Sequence, residues 1–554
     1  MELTVYDRQY DRWAFHVNNI PVGSSLNPLT AKLFHGDVIN TEGIIIDSLY
    51  RQKQEIPGIL IIEGNTYGRL NDKLLYKCIP NDKALPCFLI PYEYKVNNFN
   101  KKKYNKYITF KIIGWQDKHP IGQLTNAIGD VTDTEGFYQY QLRCKGLNQS
   151  INTFTKETLY NLKLINRENI GKELSKNLSD KPEDRRLLSI FSIDPAGCKD
   201  IDDAIGLQVV DEETIISIYI ANVALVLDYL NLWSHFSERV ATIYLPDGKT
   251  PMLPNILADD LCSLIQEKER CAFCLDIHLN KQNEVIHITF KPVLIRVQKN
   301  YVYEEDSLLL NTDYLRLFTL TKRLAMKYPY VESIKDSHDI VEFYMIFMNY
   351  ESSKRLLQQQ TGIFRSAQIV TEEGPGTAII NPDIRKFLRS YNVTNCNYCT
   401  SDKVLPHDLI GQGLPSYVHM TSPIRRLVDL INLIEIQGEN MSENAKMFSS
   451  NWLTKIDYIN KNMKAIKKVQ NNCNLLALYL REPKGNYTAF LFNKTEELKQ
   501  TIVIYKFSVY IPALKMVSTI KTTLILNNYT TVVVSGHLFM TEDNIMKKIR
   551  LQIV

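Results

Sequence analysis

The most constraining feature of the sequence is a short acidic segment, residues 191–205, whose first aspartate directly follows an apolar run at 190–193. Its four aspartates are Asp194, Asp200, Asp202 and Asp203. On a regular strand Asp202 and Asp203 would point to opposite faces. All four carboxylates therefore converge only if the chain forms an irregular loop between the first and the last of them, which Pro195 and Gly197 permit.

Four carboxylates held close together repel one another unless cations lie between them. Oxygen ligands of this kind favour Mg²⁺, with Mn²⁺ as the alternative, over zinc. Two such ions can stabilise the attacking and leaving oxygens of a phosphodiester displacement. A solvated acidic turn is the ordinary alternative, but Asp194 directly follows an apolar run, which favours partial burial. The segment therefore predicts a divalent metal site.

A second informative segment is residues 417–429. Ser422 is a good helix N-cap and Pro423 suits the first helical position, so a helix is predicted to begin here. Arg425 and Arg426 in a first turn oppose the helix macrodipole. A helix N-terminus with two guanidinium groups is, however, a good phosphate site. Taken alone, the segment leaves open whether the arginines bind phosphate or pair with carboxylates.

Length and composition describe an ordinary globular protein. The 554 residues predict two to four domains. A net charge of +4, from 65 basic and 61 acidic residues, does not by itself indicate nucleic-acid binding. No apolar run in the sequence is long enough to span a bilayer, and the N-terminus lacks the apolar core of a signal peptide. The ten cysteines are scattered along the chain. These features predict an intracellular, cytoplasmic protein.

The order of patterns along the chain predicts a multidomain fold, α/β plus all-β. Short β-branched runs separated by turn residues predict small β-barrels in the first part of the chain. The polar stretch 172–186 is predicted to be a linker. Strands predicted at 187–193, 204–210 and 214–223 follow it, together with long helices further along the chain. The helices are predicted at 339–357 and 452–480, and strands return from Tyr487 onward.

Taken together, the two segments resemble signatures of the ribonuclease II (RNB) family, and residues 192–204 are nearest to its eukaryotic exosome-associated members. Further blocks resemble the family in the same order along the chain, namely residues 242–247, 251–254, 261–264 and 362–365. The resemblance implies four domains: a cold-shock-like barrel at 1–95, a second one with a linker at 96–180, an RNB catalytic domain at 185–482 and a reduced OB-like (S1-like) domain at 485–554.

The activity implied by the resemblance is processive, hydrolytic 3′→5′ degradation of single-stranded RNA to nucleoside 5′-monophosphates. It implies two-metal-ion catalysis with Mg²⁺, or alternatively Mn²⁺. It also implies a monomer that threads one RNA strand and has no membrane association, while its protein partners stay unknown. The bias toward Asn, Ile and Lys suggests an AT-rich genome, such as that of a large DNA virus or a protist.

The resemblance also assigns roles to individual residues. Asp194, Asp200, Asp202 and Asp203 would hold the metals, with Asp202 most directly catalytic. Arg425 would stabilise the transition-state phosphate, and Arg426 would contact the RNA backbone. Tyr244 would stack on the 3′-terminal base, which suits any base. The remaining predicted RNA-binding residues are His419, Thr421 and Ser422; by residue type, His419 suits a structural hydrogen bond equally well.

The sequence departs from the family pattern at three places and leaves two other functions to consider. Asn222 stands where the family has aspartate, Leu427 replaces an aromatic residue, and no acidic residue occurs in 470–473. One alternative is a catalytically silent RNA-binding scaffold, which the four intact aspartates oppose. The other is an unrelated enzyme with an aspartate-rich helix, such as a prenyl transferase, which Pro195 and Gly197 oppose.

Overall fold

The computed structural model describes residues 1–94, 103–165, 182–211, 213–369, 393–411, 413–481, 485–499 and 502–554, together with residues 384, 387 and 388. Its strands are β1 (Glu2–Val5), β2 (Trp13–Val17), β3 (Ile20–Val22), β4 (Asp37–Ile39), β5 (Ile45–Ser48), β6 (Ile56–Leu60), β7 (Thr66–Leu70), β8 (Lys73–Pro80), β9 (Phe88–Tyr92), β10 (Lys106–Gly114), β11 (Ile121–Asp130), β12 (Glu183–Asp184), β13 (Ile190–Asp194), β14 (Asp203–Val210), β15 (Glu213–Ala221), β16 (Ile243–Leu245), β17 (Gly248–Thr250), β18 (Glu269–Leu279), β19 (Val285–Arg296), β20 (Lys299–Val302), β21 (Ile363–Ile369), β22 (Val393–Thr400), β23 (Asn486–Lys499), β24 (Ile502–Ile511), β25 (Met516–Thr522), β26 (Thr531–Leu538) and β27 (Ile549–Ile553).

The α-helices of the described residues include α1 (Leu49–Gln52), α2 (Thr134–Cys144), α3 (Asn152–Lys163), α4 (Val223–Tyr229), α5 (Thr312–Lys327), α6 (Ser337–Gln358), α7 (Leu427–Gln437), α8 (Glu443–Leu453), α9 (Ile456–Arg481) and α10 (Ile545–Lys548). The helix predicted at 339–357 is α6, which starts two residues earlier because Asp336 and Asp339 form a capping box. The helix predicted at 452–480 is wrong in its start, because α8 ends at Leu453 and a separate helix, α9, begins at Ile456.

The N-terminal region contains two β-sheets. Strands β1 to β5 form an antiparallel sheet in the order β3-β2-β1-β4-β5. The second sheet has the strand order β6-β10-β11-β9-β8-β7. Strand β8 also pairs with β6, which closes the sheet into a barrel. The barrel therefore contains strands from both sides of the domain limit predicted at residue 95, and the domain limits stay a prediction.

The central region is built on a seven-stranded sheet with the order β12-β19-β18-β15-β14-β13-β20. Its middle strands β15 and β18 are apolar along most of their length and buried, as expected for strands covered on both faces. The predicted strands at 187–193, 204–210 and 214–223 correspond to β13, β14 and β15. The final part of the predicted linker is wrong, because Glu183–Asp184 form β12; residues 172–181 lie outside the described residues.

A buried ion pair joins Arg185, which follows β12, to Asp276 of β18. Two guanidinium nitrogens of Arg185 donate to the two carboxylate oxygens of Asp276 over 2.7 and 2.6 Å. The side chains are 3% and 1% exposed. Burial acts to raise the pKa of Asp276, but the hydrogen bonds from Arg185 and Ser217 outweigh it and hold that pKa well below its usual value. This short, two-pronged geometry is the strongest form of a carboxylate–guanidinium pair.

The C-terminal region is a five-stranded antiparallel sheet in the order β25-β24-β23-β26-β27. This is the same order, along the chain, as that of β1 to β5. Its core contains Leu491, Phe507, Val509 and Val534. The domain that the sequence predicts to be a reduced OB-like one therefore contains five strands. Among the helices of the described residues, none is long and apolar enough to cross a membrane.

Candidate active site

The acidic segment forms the irregular loop that the sequence predicts. Strand β13 ends at Asp194 and β14 begins at Asp203. Between them Gly197 has φ +78°, a conformation that favours glycine. The loop is fixed at its end, because the Ile201 amide donates to Ser263 Oγ over 3.0 Å and the Asp202 carbonyl accepts from Ala221 over 2.8 Å.

The arginine segment is a turn, so the helix predicted to begin at Pro423 is wrong. Helix α7 begins at Leu427, and Arg426 has the extended angles φ −135° and ψ 125°. The extended backbone allows residues 425–427 to pair with residues 240–242: the Thr242 amide donates to the Arg425 carbonyl, and the Leu427 amide to the Val240 carbonyl, both over 2.9 Å. This tertiary pairing outweighs the local preference for an earlier helix start.

Asp202 and Arg425 meet at the centre of the site. Arg425 Nε donates to Asp202 Oδ2 over 3.0 Å, and the Ile424 amide donates to Oδ1 over 2.9 Å. The side chain of Asp202 is 3% exposed and that of Arg425 is 43% exposed. Burial raises the pKa of Asp202 to about 7, although Arg425 opposes the rise. Ser422 Oγ accepts a second bond from Arg425, over 2.8 Å, so the guanidinium is held in place while part of it stays accessible.

Asp200 is held by two side chains of the hairpin formed by β16 and β17. Tyr244 Oη donates to Asp200 Oδ2 over 2.7 Å, and Lys249 Nζ donates to Oδ1 over 2.8 Å. Lys249 Nζ also donates to Asp259 Oδ1 over 2.7 Å. Burial acts to raise the pKa of Asp200, but the bonds from Lys249 and Tyr244 lower it overall. The sequence reasoning missed Lys249 and Asp259, because only the hairpin pairing could have revealed that the lysine reaches the acidic loop.

The other two aspartates, Asp194 and Asp203, form no ion pair with a cationic side chain among the described residues. Asp194 accepts a hydrogen bond from Ser192 Oγ over 2.7 Å. Burial raises the pKa of Asp194 to about 6. Burial, together with repulsion from Asp194 and Asp202, raises the pKa of Asp203 well above its usual value.

The chemistry of these donors fits a hard divalent cation, although the side chains are not yet arranged around one. Among the described residues, no group of three or more His, Cys, Asp or Glu side chains forms a ready metal site. Asp200 and Asp202 each already form an ion pair, with Lys249 and Arg425. A cation bound by Asp194 and Asp203 would neutralise these two carboxylates and remove the repulsion between them. Carboxylate oxygens are the ligands that Mg²⁺ and Mn²⁺ prefer. Asp194 and Asp203 are therefore the first candidates to hold such an ion.

The remaining residues predicted to bind RNA lie in or beside the arginine turn. Arg426 donates to Asp429 Oδ1 over 2.8 Å and is partly exposed. His419 Nδ1 is 2.8 Å from the Tyr398 hydroxyl, so the structural hydrogen bond considered for it is present. Burial and the charges of Arg426 and Arg365 hold the pKa of His419 well below its usual value. Thr421 and Ser422 are buried, at 4% and 2% exposure. RNA contacts by these residues stay a prediction.

The departure at position 222 also has a structural explanation. Asn222 is 1% exposed and accepts the Leu225 amide at the start of α4. Its amide nitrogen donates to Gln437 Oε1 over 2.8 Å, and its own oxygen accepts from Gln437 Nε2 over 3.2 Å. An aspartate would lack the donor of this reciprocal amide pair. Asn222 thus serves packing between α4 and α7.

Asp203→Asn is expected to stabilise the metal-free protein at pH 8 by about 1–3 kcal/mol, because it removes an uncompensated, partly buried charge. Folding raises the pKa of Asp194, Asp202 and Asp203, so these three groups bind more protons in the folded protein than in the unfolded chain above about pH 4 and oppose folding as pH rises. Their contribution to stability therefore falls as pH rises through that range. Urea unfolding in EDTA at pH 5 and pH 8 measures the gain, which should be larger at pH 8.

The control for this measurement is Asp211→Asn, at an exposed turn with φ +54° that asparagine also adopts. This variant should show no such pH-dependent gain. An Asp203→Asn protein that is no more stable than wild type at pH 8 would show that the charge of Asp203 is compensated in the folded state.

Comparison with known proteins agrees with the resemblance seen in the sequence. A family model described as RNB domain matches residues 182–326. The chain is 22% identical over 404 residues to exosome complex exonuclease RRP44 of Homo sapiens, covering 58% of this chain and 41% of that protein. It is 24% identical over 388 residues to ribonuclease R of Chlamydia pneumoniae, covering 57% and 56%. The chain thus matches 41% to 56% of the length of these two curated relatives.

Solved structures show the same fold at low sequence identity. The apo form of Mycoplasma genitalium RNase R has a TM-score of 0.69, 15% identity and 95% coverage of both chains. Yeast Ssd1, described as a pseudonuclease, has a TM-score of 0.56 and 13% identity, covering 89% of this chain and 68% of that one. The resemblance inferred from the sequence is thereby confirmed: residues 182–326 match the RNB domain, and the chain has the fold of Mycoplasma genitalium RNase R.

Proposed function

We propose that the chain is a metal-dependent exoribonuclease that hydrolyses single-stranded RNA processively from its 3′ end and releases nucleoside 5′-monophosphates. The observation that carries the proposal is the contact of Arg425 with Asp202 at 3.0 Å. Asp202 belongs to the acidic segment, in which all four aspartates are present. The RNB domain and the relatives named as exonucleases support the proposal. The relative named ribonuclease R suggests that the nucleic acid is RNA.

Each group of the site has a role in such a reaction. Bound divalent ions, held first by Asp194 and Asp203, would supply positive charge at the scissile phosphate. Arg425 contributes a second positive charge, and its partly exposed guanidinium is preorganised by Asp202 and Ser422. Preorganised donors of this kind stabilise the charge that develops on phosphate oxygens without a reorganisation cost.

Tyr244 would position the end of the RNA. Its side chain is 39% exposed, while its hydroxyl is anchored to Asp200. An anchored aromatic ring is a stacking surface that accepts any base. Because the anchor is itself a residue of the acidic loop, a base stacked on Tyr244 would lie at a fixed distance from the carboxylates. This arrangement suits removal of the terminal nucleotide whatever its identity.

A catalytically silent RNA-binding scaffold is the second candidate function. Two observations favour it: the similarity to Ssd1, described as a pseudonuclease, and the occupation of Asp200 and Asp202 by Lys249 and Arg425. The presence of all four aspartates opposes it, since a scaffold has no need of buried, mutually repelling carboxylates. Direct measurement of cleavage distinguishes the two functions.

The test uses a 5′-labelled single-stranded RNA with the wild-type protein and Mg²⁺. We expect products that shorten from the 3′ end, no cleavage in EDTA, and no cleavage of DNA of the same sequence if contacts to the 2′-hydroxyl are required. Tight RNA binding by the wild type without any cleavage would reject the nuclease and support the scaffold.

A further inference from the structure

Lys249 is a charged group of the site for which neither the sequence nor the family resemblance accounts. It lies on β17, and its side chain is 23% exposed. Its ammonium group contacts Asp200 at 2.8 Å and Asp259 at 2.7 Å. Asp259 belongs to a π-type turn, Leu257–Leu261, and is 22% exposed. A cation of the protein therefore already occupies one oxygen of a predicted metal ligand.

This position brings Lys249 into competition with any divalent ion at Asp200. Lys249 and Tyr244 each donate to one oxygen of Asp200, so an ion that binds either oxygen would lie close to the ammonium group. An ammonium group close to that ion would repel it, and the repulsion is strong where water is partly excluded. Metal binding at Asp200 is therefore weakened while the ammonium group contacts that carboxylate, and it is favoured when the group withdraws.

Asp259 provides the place to which the ammonium group can withdraw. Lys249 is already bonded to it, so release from Asp200 leaves the positive charge paired and not stranded in a partly buried site. A lysine side chain has a flexible four-carbon stem, which makes a movement of this kind inexpensive. The ammonium group of Lys249 can thus occupy two positions: one in which it contacts both Asp200 and Asp259, and one in which it contacts Asp259 alone.

We propose that Lys249 is an exchangeable internal cation: it neutralises Asp200 in the metal-free protein and gives up that carboxylate to a divalent ion, while Asp259 retains it. The inference rests on the proposed function, because it requires a divalent ion at the acidic loop. Its consequence is that metal occupancy at Asp200 is weak and depends on the ion's concentration, whereas Asp194 and Asp203 bind without this competition.

The test measures Mn²⁺ binding by calorimetry and by the electron paramagnetic resonance signal of free Mn²⁺. Lys249→Met is expected to bind Mn²⁺ about tenfold more tightly than wild type, the scale of one like charge removed at close range. Asp259→Asn, which leaves the ammonium group with Asp200 as its only partner, should shift the affinity in the opposite direction. Lys446→Met is the matched control, since it removes the same charge from an exposed pair with Glu443.

The outcomes separate this inference from the proposed function. Unchanged Mn²⁺ affinity in Lys249→Met overturns the inference, and weaker affinity overturns it by showing that Lys249 organises the ligands. Either result alongside 3′→5′ cleavage by the wild type rejects only the role of Lys249. If neither wild type nor Lys249→Met binds Mn²⁺ and the wild type leaves RNA intact, both proposals fail. Circular dichroism of each variant shows whether it is folded.

Discussion

Asp202→Asn is expected to abolish RNA cleavage, lowering kcat on the order of 10³-fold or more, while RNA binding stays within a few-fold of wild type. The substitution keeps the size of the side chain but removes its charge. The single oxygen of the new amide could accept from either Ile424 or Arg425, and its NH2 group would then face the other donor. Arg425 would then lose the interaction that orients it, and the loop would lose one of its predicted metal ligands.

Multiple-turnover cleavage of labelled RNA at saturating substrate gives kcat for the two proteins, and fluorescence anisotropy in EDTA gives the RNA affinity. Asp211→Asn, at an exposed turn, makes the same chemical change outside the site and should cleave at the wild-type rate. A loss of cleavage that follows a loss of RNA binding would assign Asp202 to substrate binding. Cleavage at a near-wild-type rate would show that the acidic loop is not the catalytic centre.

Arg185→Met is expected to lower the free energy of unfolding by about 3–5 kcal/mol, the cost of leaving one partner of a buried ion pair without the other. Asp276 would stay 1% exposed, with Ser217, Cys274 and the partly exposed Lys291 left to stabilise its charge. Because folding depresses the pKa of Asp276, the stability it contributes is present above about pH 4 and is lost as pH falls below that value.

Urea unfolding at pH 7 measures the effect. Arg186→Met is the matched control, because the neighbouring arginine pairs with Asp184 and Glu269 at 24% exposure and should cost under about 1 kcal/mol. The double variant Arg185→Met/Asp276→Leu should recover most of the loss, since it removes both charges together. Equal losses in the two arginine variants would mean that the buried pair contributes no more than a surface one.

The acidic loop shows what sequence reasoning can reach. Its geometry could be predicted from local chemistry. A regular strand would point Asp202 and Asp203 to opposite faces, and Pro195 and Gly197 allow the irregular loop that brings the aspartates together. The arginine segment shows the limit. Ser422 and Pro423 are good helix-start residues, yet the helix begins at Leu427. Backbone pairing of this segment with residues 240–242 determines where the helix begins. A local sequence pattern cannot predict a contact between segments so far apart along the chain.

Other differences have the same origin. The barrel that crosses residue 95 closes through the pairing of β6 with β8 and β10, which a run of short strands does not reveal. Lys249 reaches Asp200 only because β17 pairs with β16. The exchange of hydrogen bonds between Asn222 and Gln437 joins residues 215 positions apart. Each depends on long-range pairing, whereas the elements predicted correctly depend on periodicity within one segment.

The distance along the chain between Asp202 and Arg425, 223 positions, also orders events during protein synthesis. The acidic loop emerges from the ribosome long before the arginine turn, and the backbone pairing of residues 240–242 with 425–427 must wait for both. A nascent chain therefore has its carboxylates but not the guanidinium that would act with them. A nuclease assembled in this way would be inactive toward the messenger from which it is translated until most of the chain has been made.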